Sequence, residues 1–314
     1  MKHSLKRILV FMLVCCMVCA AAGCTQQQTD PGSTTGKVEE VPGYVAQSNP
    51  SGELGKTLET AQLLGLSYED LFTINAPTVD INGAQGGCIV GDYGYQAFYR
   101  RDGGSDQANN HCMILKYDLK TGEVVKQSEI LQLNHINDIT YNPKINCLIV
   151  VHNAPFANLL SYVDPDTLER IDTFPIDEFI YSIAYNASKD QYVVGLSGGQ
   201  TFKILDKDFK AVTDAMSPSD LSSGFTTQGV SCDDDYIYFV LYNPNTIMVY
   251  RWSGEFVSKI DIDLDIEDWE VENLTVTDGQ IYFTGARLGQ QTAHIYKVTG
   301  LTAKASENAD TAEE

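Results

Sequence analysis

A pattern that returns every 44–52 residues constrains this chain more than any single motif. Residues 134–176, NHINDITYNPKINCLIVVHNAPFANLLSYVDPDTLERIDTFPI, read as a YNPKIN turn into a strand, a loop, then two strands around DPDTLE. The same parts return in 178–216 (SIAYNASKDQYVVG, then TFKILDKDFKAV), in 226–264 and in 270–301. Residues 84–130 fit too, through AQGGCIVGDYGYQAFYR and HCMILKYDLKTGEVV. The repeats start near Gln85, Asn137, Tyr181, Gln228 and Glu272.

The segments YDLKTGEVV, VDPDTLERI, LDKDFKAV and YRWSGEFV set Asp, Gly, Lys or Ser between β-branched and aromatic runs, which is hairpin chemistry. Helical periodicity is nearly absent from residues 84 to 300. Four short antiparallel strands per repeat at this spacing predict an all-β chain folded as a β-propeller, each blade burying its faces against two neighbours. Five repeats predict five blades, and six if residues 54–84 hold a degenerate one. The last repeat lacks an outermost strand, and SYEDLFTINAP (67–77) is the candidate to supply it and close the ring. Ahead of it, LGKTLETAQLLG reads as one or two helical turns ended by Gly65. The propeller is thus expected over residues 54–301, followed by a disordered acidic tail at 302–314.

The chain opens MKHSLKRILVFMLVCCMVCAAAGC. Lys2, Lys6 and Arg7 precede an apolar run from Ile8 to Ala22, shorter than the roughly 20 residues of a membrane-spanning helix. That is the make-up of an export signal, here residues 1–23. The stretch Ala21-Ala22-Gly23-Cys24 resembles a bacterial lipobox, with Ala standing where Leu is commoner. Cys24 is therefore expected to become a lipidated first residue, holding the protein to the bilayer at the outer face of a bacterial cell membrane. Residues 24–53, rich in Gln, Ser, Thr, Gly and Pro, read as a disordered tether spanning roughly 30 Å.

The net charge of −21 becomes more negative still once Lys2, Lys6 and Arg7 leave with the signal. Such a surface repels phosphate backbones and excludes nucleic acid as a partner. Cys88, Cys112, Cys147 and Cys232 remain in the expected domain. An oxidising exterior permits three pairings of four cysteines, while small buried thiols are the plainer reading. No pair has the C-x-x-C spacing of a zinc site.

In a propeller the innermost strands begin together at one face, so the repeat starts converge: Gln85-Gly86, His135 to Asp138, Tyr181-Ser182, Gln228-Gly229 and Glu272-Asn273. A structural account has Gln bridging blades, Gly relieving crowding and His135 hydrogen-bonding a neighbouring blade. A functional account gives the mouth a ligand. Gln85, His135, Asn137, Asp138, Tyr181, Gln228 and Glu272 offer amides, an imidazole, a phenol and two carboxylates, which suit a glycan, another envelope component or a protein partner. Rim loops would add Arg100, Arg101, Phe156, Tyr242 and Arg287 for stacking and for anions.

An enzymatic alternative uses the same mouth. Asp138 and Glu272, with His135, are the candidate catalytic residues of a glycosidase, which needs carboxylates about 5–5.5 Å or 6.5–9.5 Å apart. Asn137, Asp138, Glu272 and Asn273 offer oxygen ligands for Ca²⁺ in a metal-dependent lactonase. No nucleophile motif is present. The acidic run IDIDLDIEDWE (260–270) reads as a strand with one wet face, and Asp233 to Asp235 as a turn.

NDITYNPKINCLIVVH and the paired Gln-Gly starts resemble bacterial propellers of the helveticin-J-like and teichoic-acid-protein-C-like kind, and more loosely NHL and SMP-30-type propellers. The resemblance spans residues 84–298. It implies a secreted or surface propeller with a binding role or, in some members, a hydrolase. It maps Gln85, His135, Asp138, Gln228 and Glu272 onto shared start positions, whereas the third repeat departs with YSIAYN.

Overall fold

The computed structural model describes residues 38–100, 111–133, 135–196, 201–217, 226–242, 244–264, 269–287 and 291–304. The expectations for the export signal, Cys24 and Arg101 lie outside these residues.

A short helix α1 (Gly52–Leu58) leads into β1 (Leu63–Asn75). The first repeat forms β2 (Gly83–Val90), β3 (Tyr93–Tyr99), β4 (Cys112–Asp118) and β5 (Val124–Gln127). The second forms β6 (Ile136–Asn142), β7 (Cys147–His152), β8 (Leu159–Val163) and β9 (Arg170–Pro175). The third holds β10 (Ile180–Asn186), β11 (Gln191–Leu196) and β12 (Phe202–Asp206). The fourth is β13 (Thr226–Cys232), β14 (Tyr236–Tyr242), β15 (Thr246–Arg251) and β16 (Phe256–Asp261). The last supplies β17 (Trp269–Thr277), β18 (Gln280–Arg287) and β19 (Thr292–Ala303).

Strands β2, β6, β10, β13 and β17 each pack against the next, and β17 returns to β2. These five inner strands surround one axis. Apolar packing follows the same division, with one cluster between each repeat and its neighbour. Inner strands are almost wholly buried, while the outermost β5 is exposed at every residue, as expected when only the blade edge meets water.

The hydrogen-bonded sheets differ from the expected set of separate four-stranded blades. Among the described residues there are four sheets, of eight, four, four and three strands. β1 pairs antiparallel with β19 from Leu64↔Ala303 to Asn75↔Thr292, so the chain's start supplies the last repeat's outer strand. A short parallel pairing, Leu63↔Lys259 to Gly65↔Asp261, then welds the last repeat to the fourth. Among the described residues the third repeat has only isolated bridges, Phe202↔Met216 and Leu205↔Ala211, where a fourth strand would lie.

Turn chemistry sets the registers. Asp278 and Gly279 both take positive φ in the two-residue loop between Thr277 and Gln280, as a type I′ hairpin requires. In the outer hairpins Asp118, Asp164 and Asp206 each turn a carboxylate onto following backbone N–H groups. The left-handed position there is Gly122 in one repeat but Leu168 and Phe209 in two others. Both of those side chains are buried, and their packing offsets the backbone strain.

Two segments depart from the sequence expectation. Helix α1 ends at Leu58, and Gly65 lies inside β1. Residues 38–51, expected in a tether, lie along the propeller: Val41 N–H donates to the Lys144 carbonyl (2.7 Å) and Asn49 Nδ2 to the Val276 carbonyl (3.1 Å). Ser51 Oγ donates to Asp235 (2.7 Å). The run 260–270 is likewise not one strand, since β16 stops at Asp261 and β17 begins at Trp269. Asp233 does serve a turn, accepting the backbone N–H groups of Asp235 and Tyr236.

Candidate functional site

Each inner strand carries a β-bulge near its start. The ladders shift register between Ala84 and Gly87, Ile136 and Asp138, Ile180 and Ser182, Thr227 and Gly229, and Val271 and Asn273. The residues left over are Gln85 with Gly86, then Asn137, Tyr181, Gln228 and Glu272. A bulge re-aims one side chain out of the pleat. Five bulges at one level make a ring of polar side chains around the channel, and these are the residues singled out at the repeat starts.

The ring is cross-linked. Gln85 Nε2 donates to Glu272 Oε2 (2.8 Å), joining the first repeat to the last. Tyr181 Oη donates to Gln228 Oε1 (3.4 Å), and Gln228 Nε2 donates to Glu270 Oε1. Burial pushes the Tyr181 phenol up, and the Glu272 and Glu270 carboxylates reinforce the shift. Asn137 differs. It is fully buried, and neither its Oδ1 nor its Nδ2 has a partner among the described residues.

One residue further along, the channel holds Gly86, Asp138, Ser182, Gly229 and Asn273. A Cβ on Gly86 would sit 2.4 Å from the Asp138 Cα, and one on Gly229 would sit 3.1 Å from the Asn273 Cα. The paired Gln-Gly starts are therefore places where one inner strand presses on the next backbone. Asp138 spans the channel. Its Oδ1 accepts the N–H of Ile139 (2.9 Å), and its Oδ2 accepts those of Ile183 (3.0 Å) and Val230 (3.3 Å) on two other inner strands. Burial drives its carboxyl well up, against the pull of those three donors.

Both oxygens of Asp138, the acid or metal ligand considered from sequence, accept backbone N–H groups. Glu272 stands in the ring as an acceptor for Gln85. Among the described residues no three His, Cys, Asp or Glu side chains gather as a metal site. His135 also departs from expectation: its hydrogen bond is to Asn153 Nδ2 (3.0 Å) in its own repeat. It meets the neighbouring repeat by stacking on Tyr99, centroids 3.8 Å apart. Burial lowers its pKa to about 4, so the ring is neutral at physiological pH.

Of the rim candidates, Arg100 is exposed, and Phe156 and Tyr242 are half-buried at the same end of their repeats. Arg287 pairs with Trp269 through its backbone. The four cysteines are free buried thiols, pushed up by desolvation to about 11 for Cys147 and about 12 for Cys112. Two members of the network were not foreseen. Glu270 lies two residues before the bulged Glu272 and accepts from Gln228 in the neighbouring repeat. Gln96 is the lone polar residue of YGYQAFY and donates from Nε2 to the Gln85 carbonyl (2.5 Å).

No protein-family model and no curated protein matches the chain. Its structure is similar to that of Myxococcus xanthus glutaminyl cyclase, with a TM-score of 0.55 and 13% identity over 77% of this chain and 98% of that one. The fold is a β-propeller. Weaker likenesses are to the β-propeller domain of Myceliophteria thermophila Cps50 (Swd1), TM-score 0.45 at 11% identity over 74% and 100% of the two chains. Another is to Kuenenia stuttgartiensis hydrazine synthase, TM-score 0.40 at 14% identity over 66% and 57%. At 13% identity the likeness to the glutaminyl cyclase shows the fold alone.

Proposed function

We propose that this propeller, counted by its packing as five blades, is a binding module anchored through lipidated Cys24 on the outer face of the cell membrane. Its ligand is a neutral, hydroxyl-rich molecule such as a glycan or other envelope component, held by the bulged ring. The observation that carries this reading is Asn137: a fully buried amide with both polar atoms unpartnered, in a ring whose other members cross-link one another. Such an amide costs stability unless something else satisfies it. A hydroxyl group can serve both of its atoms at once, since it donates and accepts. Asp138 accepts backbone N–H groups from two other inner strands, which supports a structural part for it in this reading.

The test is a glycan array probed with the soluble chain from residue 38, which keeps the segment bound along the propeller. Asn137→Leu is expected to abolish binding while leaving stability unchanged or raised by about 1 kcal/mol, since it removes an unsatisfied buried amide of similar size. A wild-type chain that binds nothing on the array, or a variant that binds as well as wild type, overturns the proposal. The anchor is tested separately. Cys24→Ser is expected to release the protein into the medium, and unchanged membrane retention refutes lipidation.

A further inference from the structure

At the opposite end of the channel the inner strands open into a cavity of about 310 Å³. Two residues beyond Gly86, Asp138, Ser182, Gly229 and Asn273, the channel positions are Cys88, Thr140, Ala184, Ser231 and Thr275. All five line the cavity, and all are small. The space exists because no inner strand brings a large side chain to this level. Its volume falls within the range of about 300–1,000 Å³ found for small-molecule sites.

The chemistry of this chamber is specific. Three hydroxyls act as latches between blades: Thr140 Oγ1 accepts the Tyr185 N–H (3.0 Å), Ser231 Oγ that of Val276 (2.9 Å) and Thr275 Oγ1 that of Ile89 (3.2 Å). Each latch uses the oxygen as acceptor and leaves the hydroxyl proton to donate. Three donors from three strands therefore border one space. Tyr141 and Tyr185 also line it, their hydroxyls fixed on Asn146 Oδ1 (2.8 Å) and Asp190 Oδ1 (2.7 Å). No Lys or Arg lines the cavity among the described residues, while Asp278 does, so an anionic ligand is disfavoured.

One wall comes from outside the repeats. Gln47, Ser48 and Asn49 border the cavity, held there as Ser48 Oγ donates to Asp234 Oδ2 (2.5 Å) and the Asp278 N–H donates to Asn49 Oδ1 (2.9 Å). We infer that this chamber is a second ligand site, distinct from the bulged ring, which takes a neutral polyol or monosaccharide-sized molecule under the segment 47–49. Its walls supply hydroxyl donors for acceptor oxygens and tyrosine rings for the apolar face of a sugar.

Saturation-transfer NMR and calorimetry on the soluble chain from residue 25, with D-glucose, N-acetylglucosamine, myo-inositol and glycerol as probes, test this directly. At least one probe is expected to bind, and Thr277→Trp, at a half-exposed hairpin position on the cavity wall, to weaken it by about tenfold or more. Thr140→Val, which deletes one donor at nearly constant volume, is expected to weaken the same probe, with thermal melts confirming that both variants are folded. Asn137→Leu should leave this binding intact, which separates the chamber from the ring. Absence of binding by all four probes up to about 50 mM overturns the inference. So does binding that survives Thr277→Trp and Thr140→Val but is lost in Asn137→Leu.

Discussion

Asp138→Asn is expected to lower the melting temperature by about 6–12 °C, equivalent to about 3 kcal/mol for a domain of this size. The carboxylate accepts N–H groups from its own strand β6, from β10 and from β13, and it is only 2% exposed. The amide keeps one acceptor and turns an NH₂ donor toward backbone donors, so at least one buried N–H loses its partner. A shift under about 2 °C would show that the carboxylate is not a tie across the channel. That outcome, joined to loss of a hydrolytic activity, would return Asp138 to the catalytic role considered from sequence.

The second large effect concerns closure. A chain truncated to begin at residue 76 loses β1 and is expected to lose cooperative unfolding altogether. β1 pairs with β19 along nearly its whole length and fastens to β16 on its other side. Its buried Leu64 and Ile74 also belong to two different apolar clusters, so their loss opens packing on both faces of the last repeat. The exposed β19 edge would be left as a template for aggregation. Thermal unfolding followed by circular dichroism decides the matter. A truncated chain that melts cooperatively within about 5 °C of the parent would show that the ring holds without its clasp.

Much of the site was legible because strand alternation and repeat spacing are local properties. NDITYN, YSIAYN and ENLTVT place their polar starts at equivalent positions, and the structure turns each such start into a bulge. The bulges themselves were hidden, since an extra residue is visible only against the partner strand. That distinction separates Asn137 from Asp138, adjacent in sequence. The first is the bulged, unpartnered member of the ring, and the second ties three strands together. The chamber near Thr140, Ser231 and Thr275 was missed because small residues in a strand carry no signal of their own. A cavity arises only when five such positions meet.

The sequence by itself determined the strand pattern, the hairpin turns, the all-β repeat and the closing role of residues 67–77, because periodicity and turn chemistry act over a few residues. Tertiary structure alone decided which sheets fuse, that residues 38–51 lie along the propeller, and which polar side chain of each pair faces a partner. Those outcomes depend on hydrogen bonds between segments far apart in the chain, such as Asp138 with Val230 and Asn49 with Val276. No local preference encodes such a pairing, because its energy exists only once the ring has closed.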